Sequence, residues 1–153
     1  MNILIRKWKP EDIPAMVRLT FEWGFETTEE KMTRHLKRVD EVDYADVFVA
    51  ECDGKAVGRV FVAEHLTLGS DPFAEIHALV VDQDYRRKGI GKALIDAANK
   101  WAADRGFGLM RLRTNAKRPE ANVFYPAIGF RLEKVQNVYV IDLEKGRYEF
   151  ESL

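Results

Sequence analysis

The sequence predicts a mixed α/β fold, on three observations. Apolar, β-branched runs of strand length alternate with stretches of helical periodicity. Two of the runs are joined by Asp53-Gly54, the dipeptide favoured in tight hairpin turns. The chain has 153 residues, the usual size of one domain, so a single domain over residues 1–153 is expected.

Each element has its own signal. Ile3 and Ile5 alternate with polar neighbours as a first strand. Pro10-Glu11-Asp12 opens a helix carrying Ile13, Met16, Val17 and Phe21 at helical spacing, and Gly24 ends it. A second helix is expected from Thr27, with Glu30 as capping-box partner, through Met32, Leu36 and Val39. Val47–Cys52 and Ala56–Ala63 form the hairpin, and the polar stretch Leu66–Pro72 is a loop. Ala74–Val81 becomes continuously apolar, which suits a strand covered on both faces. From Gly89 a helix puts Ile90, Leu94, Ala97, Ala98 and Trp101 on one face, and Gly106 stops it. Leu109–Thr114 reads as a strand, and Pro119–Ile128 as a short helix ended by Gly129. Phe130–Val135 and Val138–Leu143 read as two further strands, and residues 144–153 as a charged, loosely held tail. The expected order is β-α-α-β-β-β-α-β-α-β-β.

Composition excludes several classes. With 24 basic and 25 acidic side chains, the formal charge of −1 gives no general reason to expect a nucleic-acid or anionic-membrane partner. No apolar stretch approaches the roughly 20 residues a membrane helix needs. Met1–Ile5 is cut short by Arg6-Lys7 before a leader's apolar region could form. One cysteine, Cys52, permits no intrachain disulfide, so a soluble cytoplasmic protein is expected. The three histidines, His35, His65 and His77, lack close ligand spacing, and no metal is expected.

Chemistry concentrates at Arg86-Arg87-Lys88-Gly89-Ile90-Gly91-Lys92, between a strand and a helix. Two glycines let the backbone approach a ligand, and the helix start presents unpaired N–H groups at its positive end. That arrangement, ringed by cations, binds phosphates. It is not a Walker A loop, because Gly91-Lys92 is followed by Ala93. Nor is it a dinucleotide fingerprint, because position 94 is Leu instead of Gly.

The stretch Leu79–Gly91 resembles the acetyl-CoA motif of the GNAT acetyltransferase superfamily almost position for position. A second stretch, Arg118–Phe130 with Ala121, Phe124-Tyr125 and Gly129-Phe130, resembles that family's C-terminal signature. Arg118, where many members have Asn, and Pro126, where Glu or Lys is common, depart from the pattern. The resemblance covers roughly residues 3–143 and implies a central mixed sheet, flanked by about four helices, with a splayed strand pair. It also implies that acetyl-CoA is the co-substrate. The pyrophosphate would lie on Arg86–Lys92, and the pantetheine arm would lie between the strand ending at Val81 and the strand after Leu109. Backbone groups of Leu79, Val80 and Val81 would meet that arm, one N–H facing the thioester carbonyl, with Asn122 and Tyr125 also near the cofactor.

Acetyl transfer to an amine needs a base, because a lysine-like amine is mostly protonated at neutral pH. By the resemblance, Tyr125 is the acid that protonates the departing thiolate. Glu75, eleven positions before Arg86, resembles the glutamate base of the histone-modifying branch. His77, two residues on and of the side-chain type most often used as a proton acceptor, is the alternative base; Glu64 and His65 are further candidates. The loop between the first two helices, with Trp23, Phe25 and Glu26, would line the acceptor pocket, although Phe21 and Phe25 also have core spacing. The acceptor is expected to be a small-molecule or peptide amine attacking directly in a ternary complex, and a homodimer is compatible with the resemblance. A non-catalytic CoA-binding sensor and a protein N-terminal or lysine acetyltransferase are the competing readings.

Overall fold

A computed structural model describes residues 2–144. The chain parts between Arg113 and Thr114 into two compact units. The charged tail expected from residue 144 lies, past its first residue, outside the described residues.

The first unit holds a five-stranded sheet in the order β1-β2-β3-β4-β5. Its strands are β1 (Ile3–Lys7), β2 (Ala45–Cys52), β3 (Lys55–His65), β4 (Phe73–Val81) and β5 (Met110–Leu112). The first four run antiparallel to their neighbours, and β5 lies parallel to β4. The β2–β3 turn has φ 51° at Asp53 and 82° at Gly54, the left-handed pair that a two-residue hairpin requires.

Helices cover both faces. On one, α1 (Ile13–Trp23) and α2 (Glu29–Asp40) bring Met16, Met32 and Leu36 onto Val47 and Val49. The cap of α2 is Thr28 and not Thr27: its hydroxyl accepts the Lys31 N–H at 3.1 Å, so Glu30 falls one position short of the capping-box role. Phe21 is 53% exposed, because α1 turns Met16, Leu19 and Thr20 inward instead. Arg59 of β3 is buried beneath α1 and donates to the Met16 carbonyl at 2.8 Å. With no carboxylate beside it among the described residues, burial pulls its pKa down to about 10.

The other face carries α3 (Ile90–Asp104), with Ile90, Leu94, Ile95, Ala98 and Trp101 buried. Gly58 on β3 makes that packing close. A Cβ there would stand 3.1 Å from Leu94 Cδ1, 3.2 Å from the Val80 carbonyl oxygen and 3.4 Å from Ile90 Cγ2.

In the second unit, α4 (Pro119–Ala127) starts on proline as expected. No strand forms over Phe130–Val135 or Val138–Leu143, contrary to the sequence reading. Leu132, Val135, Val138, Tyr139 and Val140 are all exposed. Their β-branched, apolar composition is a preference for a pleated, half-covered surface, and it makes a strand only where a ladder partner exists. Among the described residues no helix is long and apolar enough to cross a membrane.

At the edge of the sheet, Asp12 is clamped by Arg6 through two bonds of 2.8 and 2.9 Å, and by the Lys9 N–H at 2.8 Å. Burial pushes the Asp12 carboxyl up, but these bonds and the Arg6 and Lys9 charges outweigh it, so its pKa lies below the ordinary value. A depressed folded-state pKa contributes stability above the unfolded value and loses it as pH falls through the folded one. Asp12→Asn should therefore be less stable than wild type at pH 7, with the gap closing below about pH 4, as read by urea midpoints across that range. Gly58→Val should cost about 1–3 kcal/mol in the same assay, because the overpacked methyls meet backbone on one side and α3 on the other.

Candidate functional site

The cradle begins where β4 ends. Asp82 is buried, and its Oδ1 accepts the Asp84 N–H at 2.9 Å while its carbonyl accepts the Tyr85 N–H at 2.9 Å. Its own N–H reaches the Val57 carbonyl at 2.8 Å, and Arg18 approaches Oδ2 at 3.5 Å. The turn Gln83–Tyr85 is thus tied to β3 and to α1. Next, Arg87 (φ 61°) and Gly89 (φ 82°) both adopt left-handed backbone. Such conformations cost energy in a non-glycine residue and cluster at ligand sites.

At the start of α3 the first intrahelical bond runs from the Ala93 N–H to the Gly89 carbonyl at 3.0 Å. The N–H groups of Ile90, Gly91 and Lys92 precede it, and Gly89 has no side chain to cap them. The Arg86, Arg87 and Lys88 side chains are exposed around this turn. Lys88 Nζ stands 5.4 Å from the Tyr85 ring centre. Lys92 is instead paired with Asp96 at 2.8 Å on the helix surface. Open amides, positive helix end and cations together fit a phosphate group.

Upstream, β4 and β5 pair over three rungs, Ala74–Met110, Glu75–Arg111 and Ile76–Leu112, and no further. From His77 to Val81 the β5-facing edge of β4 has no ladder partner among the described residues. This is the splay the resemblance implied. On its other edge β4 bulges: Phe61 faces Ala78 while Val62 faces Ile76, leaving His77 as the extra residue. The side chains of Leu79, Val80 and Val81 pack as core or near-core, so the backbone of this stretch is what it offers a ligand.

The last paired rungs carry the charged groups. Glu75 is buried, and its Oε2 accepts from Arg111 Nε at 2.7 Å, with Arg113 Nε at 3.9 Å. Oε1 lies 3.6 Å from His77 Nδ1. The Arg111 guanidinium is 4.5 Å from the Phe73 ring centre, and His77 packs on Phe61 with ring centres 5.4 Å apart. Removing Arg111 would strand a buried carboxylate, a loss of about 3–5 kcal/mol. Of the two candidate bases, His77 is the accessible one: its side chain is 42% exposed against 5% for Glu75. His65, a more distant candidate, stacks on Phe73 at 4.8 Å.

The α1–α2 loop places Trp23 and Phe25 with ring centres 4.8 Å apart, and Phe25 is 57% exposed rather than core. Glu26 is exposed, and Glu22 Oε2 is buried with no hydrogen-bond partner among the described residues. In the second unit, Tyr125 is packed edge-on to Phe124 at 5.1 Å and to Phe130 at 5.8 Å, and Asn122 is exposed. Burial pushes the Tyr125 phenol above its ordinary pKa, against a smaller pull from Arg118. Among the described residues no three His, Cys, Asp or Glu side chains group to hold a metal.

Sequence reasoning missed Arg111, Gly58 and the left-handed Arg87. Arg111 stands in an alternating Met-Arg-Leu-Arg run, which marks a half-exposed strand without naming its partner. Gly58 carried the one usable signal, a glycine inside an apolar strand pattern.

Comparison with known proteins gives a family and a fold. Residues 43–132 match the acetyltransferase (GNAT) domain model. An uncharacterised N-acetyltransferase of Methanocaldococcus jannaschii is 33% identical over 86% of this chain and 62% of its own length. Streptothricin acetyltransferase A of Bacillus subtilis is 32% identical over 69% of this chain and 65% of its own. The chain thus spans under two thirds of the length of either relative. An aminoglycoside N-acetyltransferase solved in complex with CoA shares the fold, with a TM-score of 0.82 at 19% identity, over 92% of this chain and 95% of that one.

Gly89 is testable on stability alone. At φ 82° a β-branched residue is strained, so Gly89→Val should lose about 1–3 kcal/mol in urea unfolding. Gly89→Asn, which tolerates the left-handed region, should lose less. Equal stability of all three proteins would mean that the turn does not demand this conformation.

Proposed function

The chain belongs to the GNAT acetyltransferase family, and on that premise we propose that it transfers the acetyl group of acetyl-CoA to a primary amine, by direct attack in a ternary complex. One observation carries the reading. A single strand, β4, runs from the Glu75–His77 pair to the phosphate cradle, with its β5-facing edge open in between. At about 3.3 Å per residue, His77–Val81 offers roughly 13 Å of backbone along which an extended arm can lie.

Acetyl-CoA supplies an activated acyl group when bound. The chain's own residues do the rest. The amides of Ile90, Gly91 and Lys92, with Arg86, Arg87 and Lys88, hold the pyrophosphate. Free backbone groups between His77 and Val81 pair with the amides of the arm, as a strand would. An N–H near Leu79 to Val81 faces the thioester oxygen as charge builds there, an effect worth about 3 kcal/mol for one donor. The Glu75–His77 pair removes the proton from the incoming ammonium. The C-terminal signature assigns Tyr125 the proton that goes to the departing thiolate, and Asn122 lies on the same signature helix.

Trp23, Phe25 and Glu26 would take the acceptor, with Glu22 as a further carboxylate. Aromatic faces beside carboxylates suit a cationic amine. The relatives named for streptothricin and for aminoglycosides make polycationic amines the first acceptors to try. A panel of neamine, streptothricin, spermidine, aspartate and a lysine peptide, read by release of CoA thiol, tests the reading. Turnover of none of them, together with no stabilisation by acetyl-CoA, would overturn it.

Stabilisation by acetyl-CoA should approach about 2.7 kcal/mol at one hundred times Kd, because only the folded cradle binds it. Gly89→Val should remove most of the shift, and an undiminished shift would put the cofactor elsewhere. Tyr125→Phe should lower kcat on the order of 10²-fold with little change in acetyl-CoA affinity. An unchanged kcat, in a protein whose product release is shown to be fast, would make Tyr125 a packing residue.

A further inference from the structure

Glu75 is held from two sides. Arg111 Nε meets Oε2 at 2.7 Å from the facing rung of β5, and Arg113 stands behind at 3.9 Å. The side chains of Glu75 and Arg111 are only 5% and 19% exposed. To meet an acceptor itself, this carboxylate would have to leave its guanidinium partner. His77 needs no such rearrangement. The bulge turns it out of the regular ladder, with Phe61 behind its ring and Nδ1 3.6 Å from Glu75 Oε1. With Nδ1 directed at the carboxylate, Nε2 is the nitrogen left for a ligand.

Resting on the acetyltransferase reading above, we propose that Nε2 of His77 is the proton acceptor, with Glu75 and Arg111 as its positioning residues. Arg111 fixes the carboxylate. Glu75 accepts the Nδ1–H and so keeps the lone pair on Nε2, the tautomer a base needs. The Nδ1–Oε1 separation shortens to a hydrogen bond when the site is loaded, as catalytic contacts in unliganded sites commonly do. In the step itself the ammonium N–H bond breaks and its proton goes to Nε2. The freed nitrogen lone pair attacks the thioester carbonyl and forms the new C–N bond. As the C–S bond breaks with its electron pair on sulfur, the nitrogen gives up its second proton and the sulfur gains one, so the products are the neutral amide and the CoA thiol, with the first proton on Nε2. The imidazolium then carries its charge beside the Glu75 carboxylate.

The test reads the tautomer, independently of any acceptor. In long-range proton–nitrogen correlation spectra of the nitrogen-15-labelled full chain saturated with CoA, His77 is identified by its loss in His77→Gln. With the ring neutral, wild type should show the Nδ1–H form, whereas an unconstrained imidazole favours Nε2–H. Glu75→Gln and Arg111→Gln should each lose the Nδ1–H signature, and Arg111→Lys should retain more of it than Arg111→Gln. Should Arg111→Gln fail to fold, Arg111→Lys and the double variant E75Q/R111Q, which leaves no unpaired charge, carry the comparison. With the panel amine that wild type acetylates, Arg111→Gln should lower kcat about 10-fold, a fraction of what a positioned base supplies, without moving the KM for acetyl-CoA. An Nε2–H form in wild type overturns the proposal. So does an Nδ1–H form that persists in Glu75→Gln. Either result leaves acetyl-CoA turnover and stabilisation, which test the wider reading, untouched.

Discussion

The parallel ladder between β4 and β5 stops after Ile76–Leu112, and the rest of the site depends on that limit. A strand edge without a partner leaves each N–H and C=O along it to be met by something other than the ladder. An edge of this kind persists in a fold only where something else satisfies it, whether water or a ligand able to pair like a strand. The same departure leaves β5 short and frees the stretch of β4 that leads to the cradle. The Glu75–His77 pair and the cradle thereby stand towards the two ends of one bulged strand, which sets the distance between them.

What holds the far end in place is packing from beneath, with one ion pair at its side. Gly58 lets the first turn of α3 settle on β3, with Leu94 and Ile90 where a side chain would otherwise be. Asp82 ties the intervening turn to Val57 on β3 and to Arg18 on α1. The open amides at Ile90, Gly91 and Lys92 are therefore carried by a helix whose position is fixed from beneath. A phosphate cradle needs that fixity, because its donors act only if they need not reorganise when the ligand arrives.

Legibility in the sequence followed locality. The cradle was readable because every part of it lies within a few residues: the end of an apolar strand, a basic turn, two glycines and an amphipathic helix. The hairpin at Asp53-Gly54 and the start of α4 at Pro119 were readable for the same reason. The Glu75–Arg111 pair was not, since its partners are 36 residues apart and meet only through the register of a parallel pair. Nothing within a few residues of Arg59 marks it as buried, since the Met16 carbonyl it donates to lies 43 residues away on α1. The two strands expected over Phe130–Val135 and Val138–Leu143 failed in the opposite direction. Their residue types are right for strands, but a ladder partner is a tertiary fact that composition does not carry.

The site also explains why a buried ion pair is retained where an apolar pair of similar volume would be no less stable. Such pairs contribute little net stability against an apolar replacement, and their best-attested use is to set register. Glu75 and Arg111 face each other in the middle of three rungs, immediately before the strands part. A slip of β5 by one residue would turn Arg111 to the opposite face and break the pair, leaving the Glu75 carboxylate stranded. The pair therefore fixes where the ladder ends, and with it where the open edge of β4 begins. It also fixes the carboxylate that faces His77. Register, and the orientation of the carboxylate towards His77, are thus set by one contact.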